Sequence, residues 1–158
     1  MKRTILFFIM IAFNLFAQQV GDWKNFTSMK TINAVSTYKT TVWAATNGGI
    51  FGFNTIDSSY TTLTKSEGLS SQTITSIATD NYGNVWAGAD DGIINVYFPS
   101  DGSVKKLLDI YNSDKTKKQI NDIVIKGDTV YVATDFGLSL INAKSYTFIV
   151  LHYENLDN

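Results

Sequence analysis

The sequence predicts an all-β fold, a partial β-propeller of three four-stranded antiparallel blades, and three observations carry that expectation. First, one unit occurs three times. It opens with an apolar pair three residues apart, namely Ile32 and Val35, Ile74 and Ile77, Ile120 and Ile123. A short polar turn follows, then Val with an aromatic (Val42-Trp43, Val85-Trp86, Val130-Tyr131), then small residues, then a Gly and an aliphatic (Gly49-Ile50, Gly92-Ile93, Gly137-Leu138). The aromatics lie 43 and 45 residues apart, and so do the glycines. Second, the composition suits strands and tight turns: 18 Thr, 13% aromatic residues and 11 Gly among 158, with only 17% charged. Third, units of about 40–50 residues, each with room for four short strands, are the propeller blade length. Helical repeats are disfavoured because no apolar 3.6-residue period persists, and a β-sandwich does not require an internal repeat.

The elements follow in chain order. Met1-Lys2-Arg3 is a basic start, and Thr4 to Phe16 is almost wholly apolar before Ala17 and the polar Gln18-Gln19. This is the pattern of a secretory signal peptide spanning 1–17. The apolar run has 13 residues, short of the roughly 20 that span a bilayer. Residues 18–158 form the partial propeller. Residues 23–28 are expected to be an orphan outer strand, followed by blades at about 31–65, 73–110 and 119–153. In the second blade the strands are expected at Thr73–Thr79, Asn84–Ala89, Gly92–Phe98 and Ser103–Ile110.

Within each unit the repeated letters have mechanical readings. Small residues after the aromatic (Ala45, Gly88, Ala133) fit strands packed closely on a neighbouring blade. Asn47-Gly48-Gly49, Asp90-Asp91-Gly92 and Asp135-Phe136-Gly137 supply the positive-φ residues of tight turns. Trp43, Trp86 and Tyr131 occupy one position in all three units, which points to inter-blade packing rather than to a ligand stack. Closed propellers use four to eight blades, so three imply a longer protein with further blades from sequence beyond Asn158. Alone, three would expose inter-blade faces and invite association.

The stretch from Thr75 to Gly88, with Asp80-Asn81-Tyr82-Gly83-Asn84-Val85-Trp86-Ala87-Gly88 at its centre, resembles the two-component regulator propeller repeat, whose pattern is I-x-x-I, then D-x-x-G-N-x-W-x-G-T and a Gly-Leu strand. The link Glu67-Gly68-Leu69-Ser70 matches that family's inter-blade loop. Each copy departs somewhere: Ala45 stands for Gly in the first, Ala89 for Thr in the second, and the third carries Tyr131-Val132-Ala133-Thr134. Behind a signal peptide and the opening Gly21-Asp22-Trp23-Lys24-Asn25-Phe26, these copies are similar to the N-terminal propeller of PorZ-like proteins, envelope components of the type IX secretion system. The resemblance spans residue 21 to about 153. It implies an exported, non-catalytic binding scaffold in the periplasm or at the surface of a Gram-negative-type bacterium. A protein, a glycan or lipopolysaccharide would be its partner. The alternative it leaves open is the extracytoplasmic, ligand-sensing propeller of a hybrid two-component regulator.

The chemistry available narrows the function classes. No Cys excludes disulfides and thiolate sites, and a single His, His152, has no triad pattern around it. A net charge of −1 gives no footprint for nucleic acid. Asp80, Asp90 and Asp91 do not have calcium-loop spacing and fit turn chemistry, so neither metal nor cofactor is implied. The basic run Asp114 to Lys118 is expected in a solvated inter-blade loop. Strand parity places Asn47, Glu67, Asp90, Asp91 and Asp135, with Lys115, Lys117 and Lys118, on one rim of the propeller. That rim is the expected partner-binding surface.

Overall fold

A computed structural model describes residues 27–153; the signal segment and residues 23–26 of the expected outer strand lie outside the described residues. Thr27 and Ser28 are not in a strand. Thr27 instead donates its hydroxyl to the Gly48 carbonyl at 2.7 Å, tying the start of the described chain to the first blade.

Three four-stranded antiparallel sheets follow, each a simple meander. The first comprises β1 (Ile32–Tyr38), β2 (Thr41–Thr46), β3 (Gly49–Asn54) and β4 (Tyr60–Leu63). The second comprises β5 (Ile74–Thr79), β6 (Val85–Ala89), β7 (Ile94–Phe98) and β8 (Ser103–Leu107). The third comprises β9 (Ile120–Lys126), β10 (Thr129–Thr134), β11 (Gly137–Asn142) and β12 (Thr147–Tyr153). The sheets stack face to face. Their first strands lie side by side, β1 against β5 and β5 against β9. Side chains stitch these strands together: Asn33 donates to the Ile74 carbonyl at 2.7 Å, Ser36 and Thr79 share a 2.9 Å hydroxyl contact, and Thr75 donates to the Ile120 carbonyl.

Two apolar layers hold the stack. Trp43, Ile50 and Leu63 of the first blade meet Ile74, Val85 and Ala87 of the second. Trp86, Ile94 and Val96 of the second meet Ile120, Val130 and Val132 of the third. The middle blade is therefore covered on both faces, which is why all five residues of β6 (Val-Trp-Ala-Gly-Ala) are buried and show no polar alternation. Trp43 and Trp86 sit in these layers, whereas Tyr131 is half-buried and belongs to neither. Trp43 meets Tyr97 edge-on with centroids 5.7 Å apart, and Trp86 stacks on Tyr146 of the third blade at 5.6 Å and 22°. Gly52 lies opposite Trp43 in the register, and a Cβ there would stand 2.4 Å from the indole ring. Gly88 plays the corresponding part at the second interface, where a Cβ would fall 2.3 Å from Cγ2 of Ile120.

The β2–β3 type of turn repeats with one variation. Gly49, Gly92 and Gly137 all take positive φ, 122°, 85° and 139°. In the first and third blades a Thr closes the turn: Thr46 donates to the Gly49 carbonyl and Thr134 to that of Gly137, each at 2.8 Å. Ala89 lacks that hydroxyl. The second blade substitutes an Asx turn, Asp91 accepting from the Ile93 amide at 2.9 Å, and its hairpin loop lengthens by one residue. Gly92 therefore lies in the turn, and β7 begins at Ile94 rather than at Gly92.

The links between blades also have a common logic. After β4, Thr64 and Glu67 form a capping box around the 3-10 turn Lys65–Glu67, and Gly68 ends it at φ 108°. Leu69, 2% exposed, then plugs the first apolar layer, while Asn95, fully buried, accepts from the Ser70 amide at 2.9 Å and donates to its hydroxyl at 3.0 Å. The second link differs from expectation. The strand expected through Ile110 stops at Leu107, and α1 (Asp109–Asn112) is a single helical turn. Ile110 is fully buried in the second layer. A helical turn lets the chain reverse toward the next inner strand while one apolar side chain still points inward, the part Leu69 plays in the first link.

Candidate functional site

The two ends of the stack have different chemistry. One end carries the β2–β3, β6–β7 and β10–β11 turns with the inter-blade links, and it holds every residue of the expected rim. The structure brings Asn47, Asp90 and Asp135 to equivalent places. Each donates its amide to the residue just before its blade's first strand, the carbonyls of Thr31, Thr73 and Gln119, at 3.1–3.3 Å. Each also accepts from a side chain at the start of its own blade: Asn33 at 2.9 Å, Ser71 at 2.7 Å and Asn121 at 3.0 Å. Asp91 caps its turn, and Glu67 turns back to accept from the amide and hydroxyl of Thr64, both at 2.7 Å. Lys118 donates to the Tyr111 carbonyl at 2.6 Å and lies over that ring. The rim is thus exposed, polar and held in place by turn bonds. Among the described residues no group of three His, Cys, Asp or Glu side chains could hold a metal.

The opposite end, built from the β1–β2 and β3–β4 types of turn, carries concave features. Two adjoining clefts of about 170 and 210 Å³ open between the first and second blades and share Thr41, Trp43 and Pro99. Tyr38, Tyr82 and Asn84 line one, and Asn54, Thr61 and Tyr97 the other. No charged side chain lines either. Burial pushes the Tyr97 hydroxyl above its ordinary pKa, with the Asp101 carboxylate adding to the effect. Tyr97 therefore stays a neutral phenol over the physiological range.

The wall of the first cleft is made by the D-x-x-G-N-x-W segment, and its central residue explains the motif. Asp80 is 3% exposed. Its Oδ1 accepts from the amides of Tyr82 and Asn84, both at 2.9 Å, and its Oδ2 from Asn84 Nδ2 at 2.8 Å and Trp86 Nε1 at 3.1 Å. Gly83 turns the chain at φ 87°, and the Tyr38 ring of the first blade lies where its Cβ would be, 2.6 Å away. One carboxylate therefore shapes the turn, satisfies a buried indole and sets the cleft wall against the neighbouring blade. The first and third blades have tight hairpins at this point, through Lys39 at φ 51° and Gly127 at φ 59°, and need no such device.

A family model for the PorZ N-terminal β-propeller domain of the type IX secretion system matches residues 42–155. The chain belongs to this family. Among solved structures it is similar to PorZ of Porphyromonas gingivalis, a bacterial surface component of that system, with a TM-score of 0.72 at 20% identity over 80% of the chain. It is also similar to the extracellular domain of a hybrid two-component system from B. thetaiotaomicron, at TM-score 0.68 and 18% identity over 79% of the chain. A computationally designed protein, Ika4, aligns at TM-score 0.62 and 13% identity over 84%. The chain spans 17% of the length of each of the first two proteins and 78% of the designed one. A search of curated proteins finds no significant match.

For a PorZ-type propeller, then, the sequence-based expectation named rim residues and did not name the clefts. Tyr38, Tyr82 and Asn84 read as turn residues, and Tyr97 as one apolar position of a strand. Their assembly depends on two blades meeting, which no local pattern encodes. The Asp80–Trp86 pair was the available signal, because an Asp six residues before a buried Trp can satisfy its indole only by folding under the turn.

Proposed function

We propose that this chain is a non-catalytic, exported propeller that acts as a protein-binding scaffold in the cell envelope, in a role related to type IX secretion. The observation that supports this best is the rim. Asn47, Asp90 and Asp135 stand in register on three successive blades, exposed yet pre-ordered by their own turns, with Asp91 and Glu67 beside them. A pre-ordered polar surface loses little entropy on docking. Its acidic turn residues suit a basic segment of a protein better than an anionic polysaccharide. The test is binding to outer-membrane vesicles from a bacterium with type IX secretion. Replacing Asp90 and Asp91 by Asn keeps the accepting oxygens of both turns while removing two charges. Weaker vesicle binding at an unchanged melting temperature is expected; unchanged binding discards the rim.

A second reading is a ligand-sensing extracytoplasmic domain, in line with its likeness to the extracellular domain of a hybrid two-component system. The uncharged aromatic clefts favour it. Perturbation of the Trp43 indole resonance by neutral oligosaccharides, lost in Tyr82→Ala, would support that reading over the scaffold.

A further inference from the structure

Two nearly buried side chains at the clefts between the first and second blades keep a polar atom that no protein group satisfies. Trp43 and Tyr97 are 5% and 7% exposed. Among the described residues, neither the Trp43 indole N–H nor the Tyr97 hydroxyl has a hydrogen-bond partner, and Ser76 Oγ is the one unpartnered side-chain polar atom sealed from solvent. The Trp43 and Tyr97 atoms therefore reach solvent, and the solvent they reach is that of the clefts they line.

For Trp43 this follows from a change in the repeat. Tyr38 stands three residues after Val35, where Asp80 stands three after Ile77. The carboxylate that accepts the Trp86 indole N–H at 3.1 Å thus has no counterpart in the first blade. The six-membered ring of Trp43 lies over Gly52, and the side chain packs edge-on against Tyr97, so the N–H edge is the part left open.

The uncommitted groups set the ligand's chemistry. Two buried donors, the indole N–H and the phenol, are joined by the Asn54 amide group, whose Oδ1 already accepts from the Ile56 amide at 3.0 Å. Besides hydroxyls, the acceptor left on the lining side chains is Asn84 Oδ1, since Asn84 Nδ2 donates to Asp80. An uncharged, aromatic, donor-rich wall suits a ligand with many neutral acceptors and few donors. A polyproline II segment has that character: its carbonyls make no internal hydrogen bonds, and each Pro lacks an N–H. Sugar hydroxyls donate as well as accept, which this wall matches less well. The groove is also divided as such a segment requires. Trp43 and Pro99 form a wall common to both clefts, making two adjoining slots, and Tyr82, 64% exposed, flanks one of them. Aromatic-lined grooves take preformed proline-rich segments at low entropic cost.

We propose that the paired clefts bind a proline-containing segment of a partner protein in the polyproline II conformation, with the Trp43 N–H and the Tyr97 hydroxyl donating to its carbonyls. This rests on the protein-binding reading above but sets the contact at the end of the stack away from the rim.

The test is titration of the full protein with a synthetic decaproline peptide, with a Gly-Ser peptide of equal length and a neutral oligosaccharide as controls. The Trp43 indole N–H resonance should shift with decaproline alone, while that of Trp86, held by Asp80, stays in place. Tyr97→Phe removes a hydroxyl that bonds no protein group, so it should keep the melting temperature and weaken peptide binding about 5-fold. Thr41→Val, at the other residue common to both clefts, is the second variant if Tyr97→Phe melts lower. No shift at about 1 mM decaproline overturns the proposal. So do an equal response to the Gly-Ser peptide, a response to the oligosaccharide in place of the peptide, and unweakened binding in a folded variant. Vesicle binding that is lost in the Asp90 and Asp91 variant but indifferent to Tyr97→Phe leaves the rim standing and removes this site.

Discussion

Removing the Asp80 carboxylate should unfold this propeller more readily than any other single polar substitution. In Asp80→Ala four donors lose their acceptor: the amides of Tyr82 and Asn84, the Asn84 side chain and the Trp86 indole. The turn amides resemble helix N-cap donors, and losing such a cap costs about 1 kcal/mol each. The indole is different, because Trp86 is fully buried and no water can replace the carboxylate. An unsatisfied buried donor costs about 1–3 kcal/mol. The Asn84 side chain is only half-buried and its amide group can turn to solvent at little cost. The total is about 3–5 kcal/mol. With a urea slope of about 2 kcal/mol/M, the midpoint falls by roughly 1.5–2.5 M at unchanged slope. Asp80→Asn keeps one accepting oxygen and should lose about half as much. Trp86→Phe removes the indole donor, so a double-mutant cycle between Asp80→Ala and Trp86→Phe should show coupling of about 1 kcal/mol or more. A midpoint shift below about 0.3 M for Asp80→Ala, or no coupling in the cycle, would refute the view that this carboxylate organises the turn.

Other perturbations probe separate contacts. Gly88→Ala drives a methyl into Ile120 and Ser76 at the second interface and should cost about 1–3 kcal/mol in a thermal or urea melt. Ser76→Ala should be neutral or slightly stabilising by the same measurement, because the Ser76 hydroxyl is buried without a hydrogen-bond partner. Asn95→Ala leaves the Ser70 amide unpaired and should lower stability by about 1–3 kcal/mol, with faster amide exchange at Ser70. Asp57 and Asp101 cap exposed β3–β4 and β7–β8 turns through Ser59 and Ser103, and those bonds hold both carboxyls below their usual pKa. Their support is present above the ordinary value of 3.8 and lost as pH falls through the lowered folded value. Amide exchange at Ser59 and Ser103 should therefore lose its protection in that acid range, and Asp→Asn variants should flatten the change.

Much of this was legible before any coordinates. The 43- and 45-residue spacing fixes three equal units, and the composition makes them strands. The positive-φ glycines could be read because a tight hairpin leaves few alternatives to Gly. The end of the second blade was misread: Ser103 to Ile110 has strand-like residues throughout, yet Ile110 is needed to fill a layer it can reach only from a helical turn. Asn95 was invisible for a related reason. Inside a strand it looks like a surface residue, and its partner Ser70 is 25 positions away.

What the sequence determined by itself is everything with a period: strand number, turn positions, the aromatic repeated once per blade, and the resemblance to the PorZ-type propeller. These are local, since a strand's alternation and a turn's φ are set within a few residues. The tertiary structure decided what depends on two blades meeting. Ile32 and Ile120 occupy the same place in the repeat, yet one lies in solvent and the other is fully buried. Only the stacking order distinguishes them, because burial is a property of the neighbour a residue meets and not of the residue. The same cause put the clefts at the end away from the rim.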